Sequence, residues 1–230
     1  MQFTSLIIAE GRGSMGGVTF SRNRYGAYTR ARVTPVNPNT GLQFAARLRF
    51  RVLASRWTFA LTQAQRNAWD LYGENVSWLN KLGQTVKLTG YAHYQRSNGA
   101  ILAAGGILVD DAPVVFSLPE ADLTFAAAIS EATQQISTTF DNTLDWAGED
   151  EGHLLVHMAL PRVGSRLYIG PPTRTAGAVD GDSVTPPTSP ALIPTPYVVA
   201  AGQRTEVLAR VIRADARVST LFRVVVGIAV

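Results

Sequence analysis

A change of hydrophobic period near residue 120 constrains this chain more than any other feature. Upstream, apolar residues recur at helical spacing; downstream, they alternate. Ala46, Phe50, Leu53, Trp57 and Ala60 follow one another at steps of four and three, which places them on one helical face, with Arg47, Arg49, Arg51 and Arg56 on the remaining surface. Pro35 and Pro38 bar an earlier start, because the proline ring fixes φ and removes an amide donor. Asn39 or Thr40 then offers a capping oxygen, so a first helix is predicted from Gly41 to Ala60. Thr62 and Gln65 form a T-x-x-Q capping box opening a second helix, with Ala64, Ala68, Leu71 and Tyr72 as its buried stripe. After a loop from Asn75 to Lys87, with a short strand at Thr85 to Leu88, Thr89 caps a third helix. That helix runs through Tyr91, Tyr94, Asn98 and Ile101 to the Gly105-Gly106 pair.

From Ala121 the period is two. Leu123, Phe125, Ala127 and Ile129 alternate with smaller residues, as do Ile136, Thr138 and Phe140. Further strands are expected at His153 to Leu160, Arg166 to Ile169, Thr173 to Val179, Thr205 to Arg213 and Val218 to Ala229. A proline-rich loop covers Asp182 to Pro196, and a hairpin turn covers Ala214 to Arg217. About seven short strands in this span is the pattern of a β-sandwich. The passage EVLARVIRADARVS resembles the penultimate strand and turn of fibronectin type III-like domains, without the tyrosine that usually marks that strand. The fold class expected is α+β and multidomain: an extended basic β arm (1–40), a helical section (41–109), a linker (110–119) and an all-β sandwich of the immunoglobulin or fibronectin III kind (120–230).

Charge is partitioned along the chain. Between Gly11 and Trp69 there are ten arginines and no acidic residue; between Ser97 and Pro161 there are ten acidic residues and no lysine or arginine. Two opposite blocks suggest surfaces that meet, within a subunit or between copies. With no cysteine, neither disulfides nor thiolate chemistry is available. The start has no cationic region before its short apolar run, and no apolar stretch is long enough to span a bilayer as a helix, so the chain reads as soluble and without a membrane partner.

Sites of chemistry are hard to find. Gly11, Gly13 and Gly16 satisfy G-x-G-x-x-G, but the alternating VTFSR that follows is not the helix a dinucleotide needs, and no acidic residue lies about twenty positions on. His153 and His157 are spaced like zinc ligands, yet Leu154, Leu155 and Val156 between them include no glutamate base. The loop from Asp141 to Glu151 carries five carboxylates at spacings foreign to an EF-hand, which reads as a solvated acidic loop. No serine sits in a G-x-S-x-G context. No enzyme activity, cofactor or metal is expected.

The arm is the remaining candidate. Arg12, Arg22, Arg24, Arg30 and Arg32 interleave with Tyr25 and Tyr28, a mixture suited to phosphate contact with base stacking, or equally to carboxylates at a protein interface. With no lysine before Lys81, fixed bidentate contacts are favoured over a loose electrostatic tail. A protein interface is therefore preferred, with nucleic-acid binding as the alternative. The candidate interface residues are Arg22, Arg24, Tyr25, Tyr28, Arg30 and Arg32 of the arm, docking on Glu149, Asp150 and Glu151 of a neighbouring copy. Such a head-to-tail contact builds rings or lattices.

Across about the first hundred residues the sequence resembles a family of poorly characterised virion proteins from tailed phages and prophages. The shared set is Gly16-Gly17-Val18-x-Phe20, then Arg30-x-Arg32-x-x-Pro35-Val36-Asn37-Pro38-x-Thr40, then Gln43, Arg47 and Phe50. It continues through Trp57-x-x-x-Leu61-Thr62, Arg66-x-x-Trp69 and Gly90-Tyr91-x-x-Tyr94-x-x-Asn98. The resemblance implies a non-enzymatic building block of the particle, in the capsid, neck or tail. Its partners would be copies of itself and other virion proteins, in a virion made in the bacterial cytoplasm. A host-surface binding module is a third reading, since sandwiches often carry recognition loops.

Overall fold

The computed structural model describes residues 13–23, 26–79, 85–166 and 168–229. The chain divides into two units, one ending at Phe44 and the other running from Ala45.

The first unit holds an antiparallel meander of β1 (Gly13–Met15), β2 (Val18–Asn23) and β3 (Gly26–Ala31). Gly16, at φ 56°, lies in the turn and lets the chain reverse between β1 and β2. An extended run follows to Thr40. There Thr40 and Gln43 cap each other: the Thr40 amide donates to Gln43 Oε1 (3.3 Å) and the Gln43 amide to Thr40 Oγ1 (3.4 Å). Of the two capping candidates it is Thr40 that acts, and α1 (Gly41–Phe59) starts behind it.

In the second unit α1 is followed by α2 (Gln63–Asn75), a hairpin of β4 (Ser77–Leu79) and β5 (Thr85–Lys87), and α3 (Gly90–Ala104). Both expected caps are present. Thr62 Oγ1 accepts from the Gln65 amide while Gln65 Oε1 accepts from the Thr62 amide, and Thr89 Oγ1 accepts from the Ala92 amide. Gly105, left-handed at φ 97°, ends α3. The start of α3 lies backbone to backbone on α2: a Cβ on Gly90 would fall 2.5 Å from the Asp70 amide nitrogen.

The buried faces differ from expectation. In α1 only Leu53 is fully buried, Trp57 is half-buried, and Ala46, Phe50 and Ala60 are exposed. α2 turns Trp69, Tyr72 and Gly73 inward, with Val76 just beyond, and leaves Ala64, Ala68 and Leu71 outside. In α2 the aromatic pair Trp69 and Tyr72 takes the interior, burying more apolar area than Ala64 and Ala68 would.

The sheet region comprises β6 (Ala126–Ser130), β7 (Gln135–Thr139), β8 (His153–Ala159), β9 (Arg162–Val163), β10 (Thr173–Asp180), β11 (Ala191–Pro194), β12 (Gln203–Ile212) and β13 (Phe222–Ala229). Their order across the sheet is β10-β8-β12-β13-β6-β7-β11, with β9 beside β12. Neighbours are antiparallel except β13 and β6, which pair in parallel. The two ends approach each other: a Cβ on Gly177 of β10 would lie 2.9 Å from Ile193 Cγ2 of β11. The result is a nearly closed, barrel-like sandwich. Its interior is filled by residues such as Ile136, Trp146, Leu154, Val156, Val207 and Ile228.

Three expectations need correcting here. Leu123 and Phe125 precede β6, and Leu123 is 96% exposed. No strand forms over 166–169 among the described residues; the short strand is at Arg162–Val163. The proline-rich loop contains a strand, β11.

Residues 110–119 are not a free linker, and the helices are not a separate body. β8 and β12 carry apolar side chains on both faces. Leu155 and Ile212 point away from the sandwich interior and share a second core with Leu53, Trp69, Tyr72, Tyr94 and Ile101. The return segment is strapped into this seam. Asn98 Nδ2 donates to the Val109 carbonyl (2.9 Å) and its Oδ1 accepts from the Val109 amide (2.8 Å). Trp69 Nε1 donates to the Asp110 carbonyl (2.8 Å), and Arg56 forks onto the Asp110 carboxylate at 2.6 and 2.8 Å.

Candidate functional site

Strand pairing distributes the arm's residues over two faces. In the β2–β3 ladder Ser21 opposes Tyr28 and Thr19 opposes Arg30, so Tyr28 and Arg30 share one face. Arg22 opposes Ala27, one step out of phase with that set. Arg32 follows β3, its amide donating to the Gly17 carbonyl (2.8 Å). Tyr28 is half-buried, while Arg30 and Arg32 are exposed. Arg24 and Tyr25 lie outside the described residues, as do the side chain of Arg22 and the first part of the G-x-G-x-x-G segment.

Between 13 and 44 no residue whose side chain is described is buried. The segment nonetheless carries large apolar side chains in the open: Met15 (77% exposed), Val33 (78%), Val36 (88%), Leu42 and Phe44 (both 63%). Along α1 the exposed apolar residues Leu48 and Val52 follow Phe44 at steps of four, and Phe59 lies seven further on, which makes a stripe down one side of the helix. Leu53 and Trp57 face the core instead. A helix apolar on two sides has one side to spare.

The acidic loop is laced to its own unit. Arg213 Nε donates to Glu149 Oε2 (2.7 Å), its Nη2 donates to Glu149 Oε1, and its Nη1 reaches Asp145 (2.8 Å). These carboxylates hold the Arg213 guanidinium's pKa well above its ordinary value, the Glu149 hydrogen bonds contributing most. Asp150 accepts from the Ser183 amide (2.9 Å) and Glu151 from the Ile107 amide (3.2 Å). Asp141 accepts from the amide and hydroxyl of Thr143, which lowers its pKa. Both oxygens of Glu149 thus accept from a bidentate arginine of its own unit. Asp150 and Glu151 remain exposed.

His153 and His157 both lie on β8, on the face that meets the helices. His153 Nδ1 is 2.8 Å from Asp180, and His157 Nδ1 is 3.3 Å from Thr175 Oγ1. Among the described residues no three histidine or carboxylate groups are gathered in a way that could hold a metal ion. Burial sets the protonation of the seam. His93 is lowered to about 4, first by desolvation and then by Arg96, while burial raises Tyr72 and Tyr94 to about 12. These groups are neutral at neutral pH. Among the described residues no helix is long and apolar enough to cross a membrane.

No protein-family model matches the chain, and neither does a curated protein or a solved structure.

Proposed function

We propose that this chain is a non-enzymatic structural component of a tailed-phage particle, assembled in multiple copies through its N-terminal arm. One observation carries the reading: a segment with three strands and a helix start has no buried residue among those whose side chains are described, yet displays Val33, Val36, Leu42 and Phe44. A small sheet without a core is marginal in water, so a partner surface must cover it. The motif set shared with virion proteins falls on this arm and on the helices after it. Arg30, Arg32, Asp150 and Glu151 serve register and encounter, since exposed ion pairs contribute only about 0–1 kcal/mol each. The buried area comes from the apolar side chains.

A fibronectin III-like body is part of the proposal. The order β10-β8-β12-β13-β6-β7-β11 supports it, with one sheet from β10 to β13 and a second from β6 to β11, joined where the first and last strands run in parallel. Removing residues 1–40 tests the assembly role. Sedimentation of the intact chain should show a concentration-dependent oligomer, and the shortened chain should stay monomeric with a normal cooperative unfolding transition. Identical association by both chains would overturn the reading.

A further inference from the structure

An open-mouthed cavity of about 510 Å³ lies on the outer face of the sheet, beneath α1 and α3. Its polar lining is Arg49, Gln95, Arg96, His157, Thr175 and Arg210, with no carboxylate among them. Four other arginines of the unit pair with acids: Arg56 with Asp110, Arg213 with Glu149, Arg217 with Asp215 and Arg223 with Glu206. The cavity pair does not. Arg96 Nε and Arg210 Nε are both buried and neither has an acceptor among the described residues.

Two half-buried guanidiniums with no counter-charge are costly, and each disfavours the other. Burial, then Arg210, pulls Arg96 down to about 10, and burial lowers Arg210 as well. Trp78 offers the Arg96 guanidinium a ring face at 3.4 Å, which supports its charge without supplying a hydrogen-bond acceptor. His157, lowered to about 4 by burial and Arg210, is neutral at neutral pH and is held by Thr175. The site thus presents fixed positive charge and a hydroxyl, with the unpaired Nε groups of both arginines buried behind it. Its other walls, Phe50, Leu53 and Leu155 among them, are apolar.

We infer that this cavity binds an oxyanion, a carboxylate or a phosphate, carried on a short apolar stem, with the head group forked between Arg96 and Arg210. The planar guanidinium suits such a head. The stem fills the space beside Phe50 and Leu155. The site is independent of how the arm assembles.

Titration calorimetry on the full chain in low-salt buffer tests this, using octanoate, octyl phosphate, inorganic phosphate and the neutral octanamide. Octanoate or octyl phosphate should bind saturably at one site, and whichever binds more tightly identifies the head group. Octanamide should bind at least about tenfold more weakly, since it keeps the stem and loses the charge-assisted hydrogen bonds. Inorganic phosphate should be weaker than octyl phosphate because it lacks the stem. Arg210→Gln should cost about tenfold or more in affinity. If that variant loses its native circular dichroism, Arg49→Gln at the exposed rim carries the comparison, with a smaller loss expected. Absence of saturable binding by both octyl ligands overturns the inference. So does binding that a folded Arg210→Gln or Arg49→Gln protein retains in full, or equal affinity for octanamide.

Discussion

Replacing Asn98 tests whether the return segment is a structural strap. Asn98 is fully buried in α3, and its amide makes both hydrogen bonds that a neighbouring strand would give to Val109. Asn98→Leu keeps the branched shape at a somewhat larger size and opens no cavity, yet removes both bonds. It leaves one N–H and one C=O of a half-buried backbone without partners. Each unsatisfied buried group costs about 1–3 kcal/mol, and the partial exposure of Val109 favours the lower half of that range, so about 2–4 kcal/mol is expected in total. Asn98→Asp keeps the shape but sets a carboxylate against the Val109 carbonyl, and at neutral pH should cost at least as much. Urea unfolding followed by tryptophan fluorescence gives both values, provided the transition slope is unchanged. A cost below about 1 kcal/mol for the leucine variant, or an aspartate variant milder than leucine, would refute the argument that these two bonds hold the segment.

Gly90→Ala should lower stability by about 3 kcal/mol or more, since the new methyl would meet the backbone at Trp69 and Asp70; a melting temperature within a degree or two of the parent would contradict that contact. Thr62→Ala removes the capping box of α2 and should cost about 1 kcal/mol in the same urea assay. Stability should also fall as pH drops from about 6.5 toward 4. His93 and His157 are lowered to about 4 in the folded state, so over that window the unfolded chain binds more protons and acidification favours it. Each contributes at most about 3 kcal/mol, and unfolding midpoints that stay flat between pH 7 and pH 4.5 would show that these rings are not held neutral by burial. Limited proteolysis should cut the free chain between Gly11 and Thr40 and spare that stretch in the assembled state; equal protection in both would count against arm-mediated assembly.

Local signals were legible wherever the chemistry is local. The T-x-x-Q box at Thr62, the cap at Thr89 and the stop at Gly105 sit where the sequence places them, because each is decided by neighbouring backbone groups. Non-local facts were harder to read. The apolar run of β8 was visible, but not that Leu155 belongs to a different core from Leu154 and Val156. β11 hid among prolines because it is the last strand in the sheet order, where Pro194 can end a strand without breaking a ladder on both sides. The alternation at Leu123 and Phe125 lacked a pairing partner, and alternation alone makes no strand. Charge patterning drew out the acidic loop, but not that Arg213, far along the chain, pairs with its Asp145 and Glu149. Arg96 and Arg210 come together only through the fold, so no sequence spacing announces them.

The parallel pair of β6 and β13 has a consequence for synthesis. β13 lies between β12 and β6, with Ile228 opposite Ile129 and Ala229 opposite Ser130. Until residues 222–229 have left the ribosome, the two halves of the sheet have no shared strand and their inward faces stay wet. The body therefore closes after translation of that strand, by a contact between distant parts of the chain, and such closure is slow. The arm and α1, made before the sheet, meet water throughout that delay. If the arm joins copies as proposed, nascent chains crowded on one messenger would touch through it while their sheets were still open, so the timing of translation bears on whether they assemble or aggregate.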